Sequence, residues 1–118
     1  MTTNYRRGAD FERRVRADME ARGYVAIRSP ASKTPCDVYC MRPGETVFVQ
    51  CKTDGRLPPA EWNGFLDYCA AAGAVPLMAS KGGRGEGIRY HRLTGRKEKR
   101  GRQPMEEWNG GNNEVQRA

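Results

Sequence analysis

Apolar residues recur along this chain with two periods, and the change from one to the other divides it into elements. Phe11, Val15 and Met19 stand four residues apart, the stripe of an amphipathic helix over about Gly8 to Arg22 that Gly23 stops. Asp10, Arg13, Arg14 and Glu20 cover the other sides, while Glu12 sits one position from the stripe and flanks the packing face. The period then falls to two. Tyr24 to Arg28 reads as a strand, and Ser29 to Pro35 as a loop rich in turn formers. Cys36 to Met41 reads as a second strand, with Cys36, Val38 and Cys40 on one face and Asp37 and Tyr39 on the other. A hairpin turn at Arg42–Glu45 leads to a third strand, Thr46 to Lys52, where Val47, Val49 and Cys51 oppose Phe48, Gln50 and Lys52. Pro58 and Pro59 open a second helix, with Trp62, Phe65, Leu66 and Cys69 on one face and Gly73 near its end. Val75 to Ala79 and Gly87 to Leu93 read as further strands around the glycine-rich loop Gly82–Gly85. Beyond Leu93 large apolar residues nearly vanish. The pattern therefore predicts one α/β domain over residues 1–94 and a basic, disordered tail over 95–118.

Composition sharpens this picture. At 118 residues the chain fits one domain, and 37% hydrophobic against 30% charged residues suits a small core with a polar tail. The net charge is +7, and 15 basic against 10 acidic residues precede position 95, so the basic excess belongs to the body as well as the tail. Such a balance points to a polyanionic partner. No apolar run approaches the ~20 residues that span a bilayer, no basic helix carries a large apolar face, and the first residues lack the apolar run of a signal peptide. The expectation is a cytoplasmic protein without a membrane partner. Cys36, Cys40, Cys51 and Cys69 form no Cys-x-x-Cys pair and are read as small core hydrophobes, not a zinc site or disulfides. The glycines at 82–87 lack the lysine and serine of a phosphate loop, so no nucleotide cofactor is expected. His91 is the one histidine, a poor start for a histidine-based triad.

Two polar features fit poorly with structure alone. Asp37 is an acid within a short strand, where Asp is disfavoured. Gln50 and Lys52 are polar neighbours on one face of a strand whose other face is apolar. Paired strands could bring these three together, with Glu12 joining from the helix edge. A carboxylate and an amide carbonyl are hard oxygen ligands for Mg²⁺, and a neighbouring lysine can hold water or offset phosphate charge. By alternation alone, a half-exposed sheet with ordinary polar residues outside is an equal reading.

The arrangement Cys36-Asp37 followed by Gln50-Cys51-Lys52 resembles the motif of the PD-(D/E)xK nucleases. Arg7-Gly8-Ala9-Asp10-Phe11-Glu12-Arg13 and Gly23-Tyr24-Val25-Ala26-Ile27-Arg28-Ser29-Pro30-Ala31-Ser32-Lys33 are similar to the opening of archaeal-type Holliday-junction resolvases, and the likeness covers roughly residues 6 to 81. The resemblance implies a restriction-endonuclease-like core, a central mixed β-sheet flanked by helices. It implies structure-specific cleavage of four-way DNA by a homodimer. Glu12, Asp37 and Lys52 would be catalytic, with Gln50 where the family usually has Glu. Mg²⁺, or Mn²⁺ in its place, would sit on Glu12, Asp37, Gln50 and the Cys51 carbonyl. Arg28 and Ser32 would lie near the scissile phosphate, and Arg6, Arg7, Arg13, Lys33 and Arg56 would add DNA contacts. The helix bearing Trp62, Phe65 and Leu66 could join a dimer interface, core burial being the competing account. Two alternatives stay open: another nicking or restriction-like nuclease of this superfamily, and a DNA-binding module that lost catalysis when the acid became Gln50.

Overall fold

The computed structural model describes residues 4–29 and 33–110, and of residues 4–7 it describes the backbone alone. The elements follow the order α1 (Asn4–Ala21), β1 (Val25–Arg28), β2 (Val38–Arg42), β3 (Glu45–Cys51), α2 (Pro59–Ala72), β4 (Val75–Lys81), β5 (Ile88–Leu93) and β6 (Met105–Glu107). The six strands form one sheet in the order β1-β2-β3-β4-β5-β6. All neighbours are antiparallel except β3 and β4, whose parallel pairing requires the crossover supplied by α2. The expected mixed sheet flanked by helices is what the chain forms.

Each face of the sheet owns a core. Phe11, Val15 and Met19 of α1 pack on Val38, Cys40, Val47, Val49, Leu77 and Ala79. Trp62, Phe65 and Cys69 of α2 pack with Phe48 and Met78 on the other face. The alternation read for β3 holds, since Val47 and Val49 belong to the α1 side and Phe48 to the α2 side. Trp62 and Phe65 are fully buried, so they are core residues and cannot supply a dimer surface. All four cysteines are free thiols.

Two sequence expectations need correction. Cys36 does not share a face with Val38 and Cys40; it packs on the α2 side. The reason is local backbone geometry. Val38 faces Val49 in the ladder, yet the amide of Asp37 also donates to the Val49 carbonyl at 2.9 Å. Two residues oppose one, as in a β-bulge, which breaks alternation and re-aims side chains.

The second correction concerns the segment after residue 94, which is folded at least to Gly110. The Trp62 indole Nε1 donates to the Gly95 carbonyl at 2.8 Å. The Asn63 side chain both donates to and accepts from the Lys97 backbone. Lys97 is 3% exposed; its ammonium donates to the Leu57 carbonyl at 2.7 Å and to Gln103 Oε1 at 2.9 Å, and it lies over the Trp62 ring. β6 then pairs with β5, and Trp108 packs edge-on against Tyr90. The docking uses amides, one buried cation and two large apolar residues, so an apolar count over this stretch does not register it. β6 also makes β5 an interior strand, with His91 paired to Glu107 on one side and Met78 on the other. Residues 111–118 of the expected tail lie outside the described residues.

Candidate active site

At the end of the sheet where β3 stops, a cavity of about 1080 Å³ opens between the two helices. α1 contributes Glu12, the segment before β2 contributes Asp37, β3 contributes Gln50 and Cys51, and the chain just beyond it Lys52. Sequence reasoning expected these five to converge, and all five line this cavity.

The bulge explains how Asp37 reaches it. Cys51 ends β3, and its amide donates to Asp37 Oδ2 at 2.8 Å in place of a ladder partner. The loop feeding Asp37 is tied by Thr34, whose hydroxyl takes part in hydrogen bonds with Ser29, Cys36 and Tyr39. Burial pushes the Asp37 carboxyl up to about 6; the Glu12 charge adds to this, while the Cys51 amide, Lys52 and Arg28 act against it. Two carboxylates thus repel each other across the pocket. Gln50 Oε1 is buried and has no hydrogen-bond partner. An orphaned amide oxygen beside a desolvated carboxylate is costly in a finished core. It is the donor set a hard divalent cation would satisfy. Among the described residues, no three or more His, Cys, Asp and Glu side chains cluster as a metal site. Burial and the adjacent carboxylates raise the Cys51 thiol well above its ordinary value, so its sulfur stays protonated.

The expected DNA contacts sort into different roles. Arg28 donates through Nε and Nη2 to Glu12 Oε1, at 3.3 and 3.0 Å, in a part-buried pair. It is engaged in fixing Glu12. Arg13 is exposed and paired with Asp10 at 2.9 Å, and it does not line the cavity. Lys33 and Arg56 are exposed at the rim. Ser32 and the side chains of Arg6 and Arg7 lie outside the described residues. Asp54 lines the cavity from a turn and accepts from the Arg56 amide.

Glu61 was missed. It stands in the first turn of α2, with Oε1 3.9 Å from Lys52 Nζ. The Pro58-Pro59 start already fixed its place in that turn, but nothing in the pattern said which way α2 crosses the sheet.

The family model for the archaeal Holliday junction resolvase (Hjc) matches residues 3–103. The crossover junction endodeoxyribonuclease Hjc of Methanocaldococcus jannaschii is 38% identical over 85 residues, which are 69% of this chain and 63% of that protein. The chain therefore spans less than two thirds of that relative's length. The structure of Archaeoglobus fulgidus Hjc, a Holliday junction resolvase from an archaeal hyperthermophile, is similar with a TM-score of 0.64 at 24% identity, over 79% of this chain and 80% of that one. At that identity the likeness concerns the fold. Fold and cavity together define an α/β protein with a polar pocket at the open end of a mixed sheet. By the family match over most of its length, the chain belongs to the archaeal Holliday junction resolvase (Hjc) family.

Proposed function

We propose that this protein is a metal-dependent endodeoxyribonuclease that cuts four-way DNA junctions by phosphodiester hydrolysis. The observation that carries the proposal is the pocket in which Asp37 and Glu12 oppose each other beside the orphaned Gln50 oxygen and Lys52. Asp37, Gln50, Glu12 and the Cys51 carbonyl would hold Mg²⁺, with Mn²⁺ as a substitute. When bound, such an ion offsets phosphate charge and lowers the pKa of its water. The chain's own groups do the positioning. The Cys51 amide holds one Asp37 oxygen, and Arg28 holds one Glu12 oxygen. Lys52, half-exposed at the pocket, steers the attacking water or balances the charge that grows on phosphorus oxygens. The water oxygen bonds to phosphorus as the bond to the departing sugar oxygen breaks. A DNA substrate also fits the basic charge and an intracellular, cytoplasmic setting; no described helix is long and apolar enough to cross a membrane.

The test compares cleavage of a four-way junction and a linear duplex of equal length at millimolar Mg²⁺ or Mn²⁺. Junction-selective cutting is expected. Gln50→Glu should remain active and lower the half-saturating metal concentration about tenfold, since an added carboxylate draws a cation by at least ~1.4 kcal/mol. Gln50→Ala should raise that concentration by about 10- to 100-fold. Wild-type protein that cuts neither substrate, alongside an active Gln50→Glu variant, would favour the DNA-binding module. Equal cutting of both substrates would favour a nicking or restriction-like nuclease.

The enzyme is proposed to act as a homodimer, because a four-way junction has near two-fold symmetry and needs two cuts. Val25 and Ile27 support this. They are 64% and 54% exposed on the edge strand β1, and are the large hydrophobics left exposed among the described residues. Sedimentation at micromolar concentration should give a dimer, and Val25→Lys with Ile27→Lys should shift it to monomer while leaving the melting temperature of the fold nearly unchanged. Monomer alone, with and without junction DNA, would refute the dimer.

A further inference from the structure

A second cavity, of about 340 Å³, lies beside the first and shares Asp54 and Arg56 with it. Its other walls include Pro58 and Pro59 at the start of α2, and Lys97, Arg100 and Gly101 from the docked C-terminal segment. Three cations and one carboxylate, Asp54, which accepts from the Arg56 amide, therefore line a small space. Lys97 is spent internally on Leu57 and Gln103. Arg56 and Arg100 are exposed, and among the described residues neither side chain lies within ion-pairing distance of a carboxylate. Arg96, four residues before Arg100, is paired with Asp67 at 2.8 Å. No side chain caps the amides at the start of α2, and the one acid of its first turn, Glu61, faces Lys52 in the main cavity and is not among the residues lining this one. The crowding registers on Lys97, whose ammonium is pushed below its ordinary pKa by burial and then by Arg56 and Arg100.

Like charges held together at some cost, next to the pocket where an anionic backbone would be cut, make an anion site. We infer that Arg56 and Arg100 form a phosphate-binding extension of the active site, which receives a backbone phosphate of the DNA strand as it leaves the main cavity past Asp54. This rests on the nuclease reading for its purpose, but on the second cavity and its unpaired arginines for its location. It gives the segment after residue 94 a second role beyond docking: it carries Arg100 to the site. Because Lys97 is the docking residue, the DNA contact falls to Arg100, and the segment presents one defined phosphate contact instead of a diffuse basic run. Phosphate contacts of this kind set register and affinity and carry no base code.

The experiment measures binding of the full chain to the junction and to the equal-length duplex across salt concentration, without metal. Each phosphate contact contributes a slope of about 0.9 in log K against log salt, worth about eightfold at 0.1 M. Arg100→Ala and Arg56→Ala should each lose about that slope and that affinity, on both DNAs. Arg96→Ala removes the same charge from the same segment and should keep the wild-type slope. Melting temperature should not fall for Arg100→Ala, which has no ion-pair partner among the described residues and whose loss relieves repulsion on Lys97. A wild-type slope for Arg100→Ala, or an equal loss for Arg96→Ala, would overturn the inference. Absence of junction preference in the wild type, with the Arg100→Ala slope loss intact on duplex, would sink the junction reading and leave this site standing. No binding of either DNA would remove both.

Discussion

Replacing Asp37 by Asn is expected to silence cleavage by about 10³-fold and, at the same time, to raise the melting temperature of the metal-free protein. The two effects have one origin. Burial and the facing Glu12 lift the Asp37 carboxyl from 3.8 to about 6. Below about pH 4 the group is neutral in both folded and unfolded chains and costs nothing. As pH rises toward 6, the unfolded chain ionises first, so stability falls. Above about 6 the full cost is present, up to about 3 kcal/mol. Asn keeps an oxygen to accept from the Cys51 amide and carries no charge to desolvate. The variant should therefore melt several degrees above wild type at pH 7.5, and the gap should close as pH drops from about 6 to 4. Millimolar Mg²⁺ should raise the wild-type melting temperature and do little for Asp37→Asn, because a cation stabilises only the state that binds it. Thermal melts at pH 4.5 and 7.5, with and without Mg²⁺, make the measurement. A less stable Asp37→Asn at pH 7.5, or a gap that ignores pH, would show that the carboxylate is an ordinary structural group.

Truncation after Leu93 should be the most damaging change to the fold. It strips the Gly95 acceptor from the Trp62 indole, the Lys97 and Gln103 partners from Leu57, and Trp108 from Tyr90. Each buried polar group left unpaired costs about 1–3 kcal/mol, and several together match the 5–15 kcal/mol that holds a typical domain. The expected result is loss of a cooperative melt, or a midpoint lowered by about 15 °C or more. Lys97→Met keeps the packing over Trp62 and removes two hydrogen bonds, so it should cost about 2 kcal/mol. A truncated chain that melts like the full one would mean that residues 94–110 merely decorate the surface.

These outcomes bear on what the sequence could disclose. The four-residue stripe of Phe11, Val15 and Met19, and the alternation of Val47 to Gln50, were legible because one face of each element meets a core and the other does not. Convergence of Asp37, Gln50 and Lys52 was legible only in part: hairpin order brings Asp37 near the end of β3, but alternation alone left an ordinary half-exposed sheet as an equal reading. The bulge at Asp37 was not, because one shared carbonyl at Val49 leaves no trace in hydrophobicity. Arg28 looked like a free cation because charge says nothing of a partner 16 residues away. The docked segment was hidden for a related reason. Its anchors are Asn63, Lys97 and Gln103, residue types that usually face water.

The strand order has a consequence for how the molecule assembles. Every pair of neighbouring strands is also consecutive along the chain, so the sheet is two three-stranded meanders joined by a single crossover. The β2–β3 and β4–β5 connections are short, whereas longer loops precede β2 and β6, and short closures cost little entropy. Parallel pairing of β3 with β4 is the step that must wait for α2 to form and fold back, which makes it the natural bottleneck of folding. The pocket lies on that seam. Glu12, Asp37, Gln50 and Lys52 arrive with the first meander and α1, whereas Glu61 and the wall containing Phe65 arrive only when the crossover docks. A nascent chain thus gathers Glu12 and Asp37 early and encloses them late.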